Sequence, residues 1–225
     1  MEKFTRITAT ACPLPAENID TDQILPARYL KLPRKGEHGK VLFQDLRFDA
    51  DGHERPDFPL NRAPWRNAKI IFGGRNFGGG SSREAAVYAL ADFGLRCIVA
   101  PSFGDIFASN AVKNGLLPAR VSAADAEALL ASLAVAEGGS VRIDLAAQTI
   151  SIGNLVAPFE IDPVWKTQLL NGWDDVDFTL REQSRIEAFR ARDRMARPWA
   201  SPGALDFPAD LEISQAALGE ARAKP

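Results

Sequence analysis

The chain has 225 residues, which is enough for one substantial domain with a tail or for two small domains. Hydrophobic residues make up 46% of the sequence and charged residues 25%, as in an ordinary globular protein. The formal net charge of −2 leaves no basic surplus to neutralise phosphates and argues against a nucleic-acid partner. The first residues show no apolar stretch behind a basic start, and no run approaches the ~18 apolar residues that span a bilayer. We therefore expect a cytoplasmic protein with no membrane partner.

The chain has two cysteines, Cys12 and Cys97, which are far apart in the sequence. Two cysteines cannot build a disulfide framework or a cysteine-rich zinc site. An iron–sulfur cluster normally takes about three or four thiolates. We therefore expect no metal site and no cofactor in this chain.

The predicted elements alternate between strands and helices through the middle of the chain. Short alternating segments and a polar loop fill residues 4–33, and the charged, turn-rich residues 34–59 predict a surface excursion. An apolar strand at residues 69–72 runs into a glycine-rich turn, after which a helix starts at residues 81–84 and stops at Gly94. The following strands and helices are predicted at residues 95–100, 102–114, 123–133, 141–145, 149–152, 162–170 and 177–195. This order predicts an α/β fold with a helix-flanked sheet over residues 1–195 and a C-terminal extension over residues 196–225.

The glycine-rich turn, residues 73–84, is the most informative segment. Glycines let backbone N–H groups approach a ligand, and the helix start behind them offers free donors, which suits a phosphate or a carboxylate. The turn lacks the lysine of a Walker A loop and the spacing of a dinucleotide-binding loop, and Arg83 stands where a nucleophile elbow needs glycine. Both histidines of the chain lie in residues 34–59, which argues against a Ser-His-Asp triad. The residues alone favour a simpler interpretation, in which Ser81 or Ser82 is a helix N-cap and Arg83 a surface charge.

Residues 76–84 (NFGGGSSRE) resemble the signature of the small subunit of 3-isopropylmalate dehydratase, the swivelling β/β/α domain of the aconitase superfamily. Other stretches match the same family in the same order, namely residues 18–26 (NIDTDQILP), 101–107 (PSFGDIF), 113–118 (KNGLLP), 159–163 (FEIDP) and 169–175 (LLNGWDD). The resemblance covers residues 2–195, so it implies the fold of nearly the whole chain.

This resemblance also implies roles for individual residues. Ser81 matches the family's catalytic base, and Arg83 matches an arginine that grips a substrate carboxylate. Asp22 matches an aspartate near the site, and residues 28–31 match a loop that senses the substrate's side group. The residues expected to bind substrate are therefore Arg83, Ser82, Asp22, Arg28, Tyr29, Leu30, Gly78 and Gly80.

The activity implied by the resemblance is a hydro-lyase reaction in leucine biosynthesis. It isomerises 2-isopropylmalate and 3-isopropylmalate, which are small hydroxy-diacids, by dehydration and rehydration. A base removes a proton next to a carboxylate, and a Lewis acid takes the hydroxyl. The family's [4Fe–4S] cluster sits in a separate large subunit, so this chain is expected to act only with that partner.

Two positions depart from the family's pattern. Members usually carry cysteine at position 79 and histidine at position 85, where this chain has Gly79 and Ala85. Ser81 and Ala85 are four residues apart at a predicted helix start, which places their side chains on one face. These departures keep two alternatives open. One is a related hydro-lyase of the 2-methylmalate or citraconate type, and the other is a non-catalytic subunit that binds anions or acts as a scaffold.

Overall fold

The computed structural model describes residues 1–34, 36–81, 83–136 and 138–200. The chain divides into two units, of which the first is Met1–Phe178 and the second begins at Thr179. The sheet and both hydrophobic cores belong to the first unit. None of the helices in the described residues is long and apolar enough to cross a membrane.

A seven-stranded mixed sheet forms the centre of the first unit, in the order β4-β3-β2-β1-β5-β6-β7. Its strands are β1 (Arg6–Leu14), β2 (Ile70–Gly73), β3 (Cys97–Ala100), β4 (Leu117–Arg120), β5 (Ser140–Asp144), β6 (Thr149–Ile152) and β7 (Leu155–Pro158). The strands β1 to β4 pair in parallel, whereas β5, β6 and β7 continue from β1 in antiparallel order. Both β2 and β3 are buried along their whole length, as expected for parallel strands that are covered on both faces. The α/β fold with a helix-flanked sheet is confirmed.

The helices of the described residues are α1 (Thr21–Ile24), α2 (Glu37–Lys40), α3 (Gln44–Arg47), α4 (Glu84–Phe93), α5 (Asp105–Lys113), α6 (Ala123–Val135), α7 (Pro163–Asn171), α8 (Asp175–Leu180) and α9 (Gln183–Ala196). Local sequence signals explain the start of α7 and the end of α4. The Asp162 carboxylate accepts the Val164 N–H at 2.7 Å just before Pro163, which opens α7. Gly94 ends α4 in the left-handed conformation that glycine tolerates.

The sheet separates two hydrophobic cores. Alternate residues of β2 point to opposite sides, as the pleat requires, with Ile71 in the first core and Ile70 in the second. Cys12 lies in the first core and Cys97 in the second. Burial raises the pKa of the Cys12 thiol to about 12 and also raises the pKa of the Cys97 thiol. The two cysteines therefore cannot bind one metal ion together or form a disulfide with each other.

The prediction of a surface excursion over residues 34–59 is wrong for the part that contains α2 and α3, whereas residues 49–57 are exposed as predicted. The segment contains α2 and α3, and the side chains of Leu42 and Phe43 between them are fully buried in the first core. The helix α2 lies against the backbone of α4, since a Cβ atom on Gly39 would be 2.7 Å from the carbonyl carbon of Asp92. A few apolar side chains thus anchor a segment whose composition is mainly polar.

Other element predictions are narrowed or corrected by the structure. The helix after the glycine-rich turn begins at Glu84, the last of residues 81–84 where its start was predicted, because Arg83 still has an extended backbone. The single helix predicted over residues 177–195 consists of α8 and α9. The strands β4 and β7 were not predicted, and both contain a proline, which is uncommon inside strands.

The loops that follow β1, β2 and β3 lie at the carboxyl ends of parallel strands. They comprise residues 15–20, 74–83 and 101–104. In open α/β sheets, ligands bind at this edge. The glycine-rich turn lies in the loop that follows β2, so the fold places it between the loops that follow β1 and β3.

We expect Leu42→Ala to lower the free energy of unfolding by ~2–5 kcal/mol, because it leaves a cavity in the first core. The matched control is Leu180→Ala. The Leu180 side chain is exposed, so this substitution should lower the free energy of unfolding by less than ~0.5 kcal/mol. Urea unfolding of the purified chain measures both. Equal effects of the two substitutions would contradict the role of residues 34–59 in the core.

Candidate active site

The glycine-rich turn is attached on one side to the loop that follows β1. The Gly78 N–H donates to the Ile19 carbonyl at 2.7 Å, and the Thr21 N–H donates to the Gly79 carbonyl at 3.1 Å. These bonds form a short parallel bridge between the two loops. Residues that are about sixty positions apart in the sequence are thereby brought side by side.

On its other side the turn is attached to the loop that follows β3. The Phe77 N–H donates to the Ser102 carbonyl and the Gly104 N–H donates to the Phe77 carbonyl, both at 3.0 Å. The Ser102 hydroxyl also accepts the Asn76 N–H at 2.9 Å. The middle loop is therefore fixed from both sides before it reaches Ser81.

Glycine is required at the tightest points of this arrangement. Gly78 has a φ of 72°, and a Cβ atom there would lie 2.1 Å from the Phe107 ring. A Cβ atom on Gly104 would lie 2.6 Å from the carbonyl oxygen of Gly78. Gly80 has a φ of 82° and is exposed, so the chain turns outward just before Ser81.

Ser81 is exposed and lies in the loop, three residues before the first residue of α4. The helix is preceded by Arg83, whose side chain makes no capping hydrogen bond. Ser81 is therefore not the N-cap, and Ser82 lies outside the described residues. Ala85 packs against the first core. The expectation that Ser81 and Ala85 share a helix face is wrong, because Ser81 precedes the helix.

Arg83 and Asp22 form an ion pair that joins the two loops. The Arg83 Nη1 atom donates to Asp22 Oδ1 at 2.5 Å, and the Arg83 side chain is 19% exposed whereas that of Asp22 is 52% exposed. The same Asp22 oxygen accepts the Ala27 N–H at 2.9 Å. This carboxylate therefore orients the guanidinium group and also fixes the start of the next segment.

That segment, residues 27–30, is held from the other side by Asp45 of α3. The Arg28 guanidinium donates from both of its terminal nitrogens to the Asp45 carboxylate, with Nη1 at 3.0 Å from Oδ2. This hydrogen bonding holds the pKa of Asp45 below its usual value and raises the pKa of Arg28. The Arg28 guanidinium also lies 4.8 Å from the centre of the Tyr29 ring, while Leu30 remains 42% exposed.

A shallow pocket of about 400 Å³ opens beside these contacts. It is lined by Asp20, Asp22, Gln23, Pro26, Ala27, Arg28, Asp45 and Leu46. Neither Ser81 nor Arg83 lines this pocket, and three carboxylates do. The feature that suits a small organic acid is therefore Arg83, an arginine oriented by a carboxylate, on the same turn as the exposed Ser81.

Known proteins match most of this chain, including the three loops that form the candidate site. Residues 1–124 match the model of the aconitase C-terminal domain, and residues 127–163 match a model described as LeuD_N. The chain is 50% identical over 202 residues to the 3-isopropylmalate dehydratase small subunit of Rhodospirillum centenum, which covers 89% of this chain and 99% of that one. The chain belongs to the 3-isopropylmalate dehydratase small-subunit family. It is also 48% identical over 200 residues to the small subunit of Afipia carboxidovorans, with 88% and 100% of the two chains covered.

A solved structure extends the family relationship to the fold. The crystal structure of 3-isopropylmalate dehydratase from Methanocaldococcus jannaschii is similar with a TM-score of 0.60 and 26% identity. The similarity covers 82% of this chain and 99% of that one. The fold is thus that of a dehydratase small subunit, and it matches along nearly all of the solved chain.

Within this family fold, the structure brings together residues from both predicted segments. Asp22 contacts Arg83, and Ser81 lies on the same turn as Arg83. Gly78 was expected to bind substrate. Its N–H instead donates to the Ile19 carbonyl, and the residue lies buried under the Phe107 ring. Gly78 therefore shapes the turn, and its amide is not a donor to a ligand.

The sequence reasoning missed Asp45, which holds Arg28. It lies in residues 34–59, where no motif was recognised, and only the buried anchors of that segment bring it to the site. A charged residue with this role carries no signal that distinguishes it from its surface neighbours in the sequence.

The two departures from the family's pattern have different surroundings. A Cβ atom on Gly79 would lie 2.8 Å from Nδ2 of Asn76, which itself donates to Asn18 Oδ1 at 3.0 Å. The glycine therefore leaves room for a hydrogen bond between the two loops. Ala85, which packs on the first core, is not beside Ser81 on a helix face.

We expect Gly78→Ala to destabilise the protein by ~2–5 kcal/mol. The left-handed φ costs an alanine ~1–2 kcal/mol, and the overlap with Phe107 adds ~1–3 kcal/mol. The control is Gly52→Ala, where φ is 83° and nothing lies within 4 Å of the added Cβ atom. Urea unfolding compares the two variants, and equal losses would contradict the contact with Phe107.

Proposed function

We propose that this chain is the small subunit of a two-component hydro-lyase that isomerises 2-isopropylmalate and 3-isopropylmalate in leucine biosynthesis. The observation that carries the proposal is the 50% identity to a 3-isopropylmalate dehydratase small subunit over 99% of that relative's length. We further propose a cytoplasmic location, a swivelling domain over residues 1–195 and an extension over residues 196–225.

In this proposal Ser81 is the base that removes a proton next to a substrate carboxylate. Serine is a weak base unless its alkoxide is stabilised. The amino terminus of α4 contributes at most ~2 kcal/mol, which is about 1.5 pKa units at ~1.36 kcal/mol per unit. The rest requires hydrogen-bond donors in a site that excludes water. Ser81 is exposed in this chain, so the large subunit must supply the covering surface.

Arg83 is proposed to bind a substrate carboxylate. Its guanidinium has five N–H donors, and Asp22 accepts from Nη1. The remaining edge suits the bidentate geometry of a carboxylate, which a lysine cannot reproduce. Asp22 orients this group by fixing one of its nitrogens. The exposed Gly80, next to Ser81, is proposed to offer a backbone donor, and Ser82 remains part of the proposed set.

The segment with Arg28, Tyr29 and Leu30 is proposed to contact the substrate's side group. Arg28 is occupied by Asp45 and pins the segment, whereas Leu30 offers exposed apolar surface. An isopropyl group gains ~25 cal/mol for each Å² of apolar area that leaves water. Leu30 therefore suits a branched apolar side group better than a polar one.

The departing hydroxyl needs a Lewis acid, and we propose that a [4Fe–4S] cluster in the large subunit supplies it. The two cysteines of this chain do not fit as its ligands, because they lie in different cores and burial raises the pKa of both thiols. In this proposal the chain binds and orients the substrate, and the dehydration requires the large subunit.

Ser81→Ala is expected to reduce the kcat of the assembled complex by ~10²–10⁴-fold on 3-isopropylmalate, the range that a general base contributes. Steady-state kinetics of the co-purified subunits measures this, and size-exclusion chromatography should show unchanged partner binding. The matched control is Ser151→Ala on β6, which should leave the rate unchanged. Wild-type turnover in Ser81→Ala would refute the assignment of the base.

Arg83→Lys is expected to raise KM and lower kcat together. Loss of a charge-assisted bidentate pair costs ~1.5–3 kcal/mol, which lowers kcat/KM by roughly 10- to 150-fold. Arg6→Lys is the control, since it alters an arginine–carboxylate pair at the opposite end of β1. An unchanged kcat/KM would return Arg83 to the role of a surface charge.

A further inference from the structure

Thr21 makes two contacts with the glycine-rich turn. It is the first residue of α1 and is only 2% exposed. Its backbone N–H donates to the Gly79 carbonyl at 3.1 Å, and its side-chain hydroxyl donates to the carbonyl oxygen of Ser81. The buried Thr21 thereby holds the carbonyls of Gly79 and Ser81, the two residues that flank Gly80.

The hydrogen bond from the Thr21 hydroxyl lies next to Gly80, where the backbone of the turn has the most conformational freedom. Gly80 has a φ of 82° and is exposed, and glycine moves between backbone conformations more freely than any other residue. The backbone bonds to Ile19 and Thr21 fix the turn as far as Gly79. The hydroxyl of Thr21 carries this fixation two residues further, to Ser81.

Fixing the Ser81 carbonyl also limits the directions in which its side chain can point. The peptide that follows Ser81 cannot rotate without breaking the hydrogen bond to Thr21. The donor is already buried and ordered, because Asp20 caps α1 by accepting the Gln23 N–H at 2.7 Å. An ordered donor holds the acceptor without further loss of conformational freedom.

From these contacts we infer that Thr21 is a positioning residue, which holds the Ser81 peptide so that the hydroxyl group of Ser81 faces the reacting carbon of the substrate. The inference rests on the proposed role of Ser81 as the base. Misplacing a reacting group by about 1 Å can lower a rate ~10²-fold. Thr21 would thus act on catalysis through backbone geometry, without touching the substrate.

The test uses Thr21→Val, which keeps the shape of the side chain and removes the hydroxyl, and Thr21→Ser, which restores it. The matched control is Thr167→Val, because the Thr167 hydroxyl also donates to a backbone carbonyl, that of Pro163 at 2.9 Å, but within α7. Each variant is co-purified with the large subunit and assayed on 3-isopropylmalate. Thr21→Ala serves in place of Thr21→Val if the latter does not assemble.

We expect Thr21→Val to lower kcat ~10- to 100-fold with KM within about threefold of wild type, since Arg83 and the 27–30 segment are untouched. Thr21→Ser should recover most of kcat, and Thr167→Val should leave it unchanged. Wild-type kcat in Thr21→Val would overturn the inference. So would an equal loss in Thr167→Val, or a rise in KM without a fall in kcat, because both indicate a general structural effect.

Hydrogen–deuterium exchange gives a readout that does not depend on activity. In Thr21→Val, amides of residues 79–84 should exchange faster while those of β2 and β3 do not change. If the wild-type complex does not turn over 3-isopropylmalate, the proposed function fails, and exchange alone then decides whether Thr21 holds the turn. Unchanged exchange in residues 79–84 would overturn the inference in either case.

Discussion

Close contact between the backbones of three loops is the constraint on which the candidate site depends. A Cβ atom on Gly78 would collide with Phe107, and one on Gly104 would lie 2.6 Å from the Gly78 carbonyl oxygen. A Cβ atom on Gly74 would likewise lie 2.5 Å from the carbonyl oxygen of Ala16. Glycines at these positions therefore set the distance between the loops. Only at this distance can side chains from the ends of two different strands form one site.

The ion pair across these loops provides orientation more than stability. An exposed ion pair contributes ~0–1 kcal/mol, and the Asp22 side chain is 52% exposed. A weak hold on Arg83 leaves the guanidinium available to the substrate carboxylate that it is proposed to bind. Because Asp22 also accepts the Ala27 N–H, its position is fixed by the backbone and does not depend on the arginine. The aspartate can therefore direct Arg83 without competing strongly for it.

Much of the fold could be predicted, because the middle of the chain carries local signals such as Gly94 after α4 and Pro163 at the start of α7. Residues 34–59 could not, since their buried anchors are few and stand among charged neighbours. Even a charged residue is buried there: Arg47 is 5% exposed, and its Nε donates to Asn61 Oδ1 at 2.9 Å. Long-range contacts, and not a periodic pattern, decide which of these side chains face the core. The exact start of α4 within residues 81–84 could not be predicted either, because serines are common N-caps but here the chain stays extended up to Arg83.

The candidate site could be predicted as a set of residues but not as a set of contacts. The motifs mark residues proposed to touch substrate, such as Ser81, and they do not mark the groups that hold those residues, such as Asp45. Holding groups can come from any segment that the fold brings near, so their sequence context carries no signal. The same contacts explain what the chain lacks by itself. Its loops orient Arg83 and Arg28, but Ser81 is exposed to water, where charges interact weakly. Orientation is thus a property of this chain, whereas the dry surroundings that the proposed serine base needs are assigned, in the same proposal, to a partner that covers the loops.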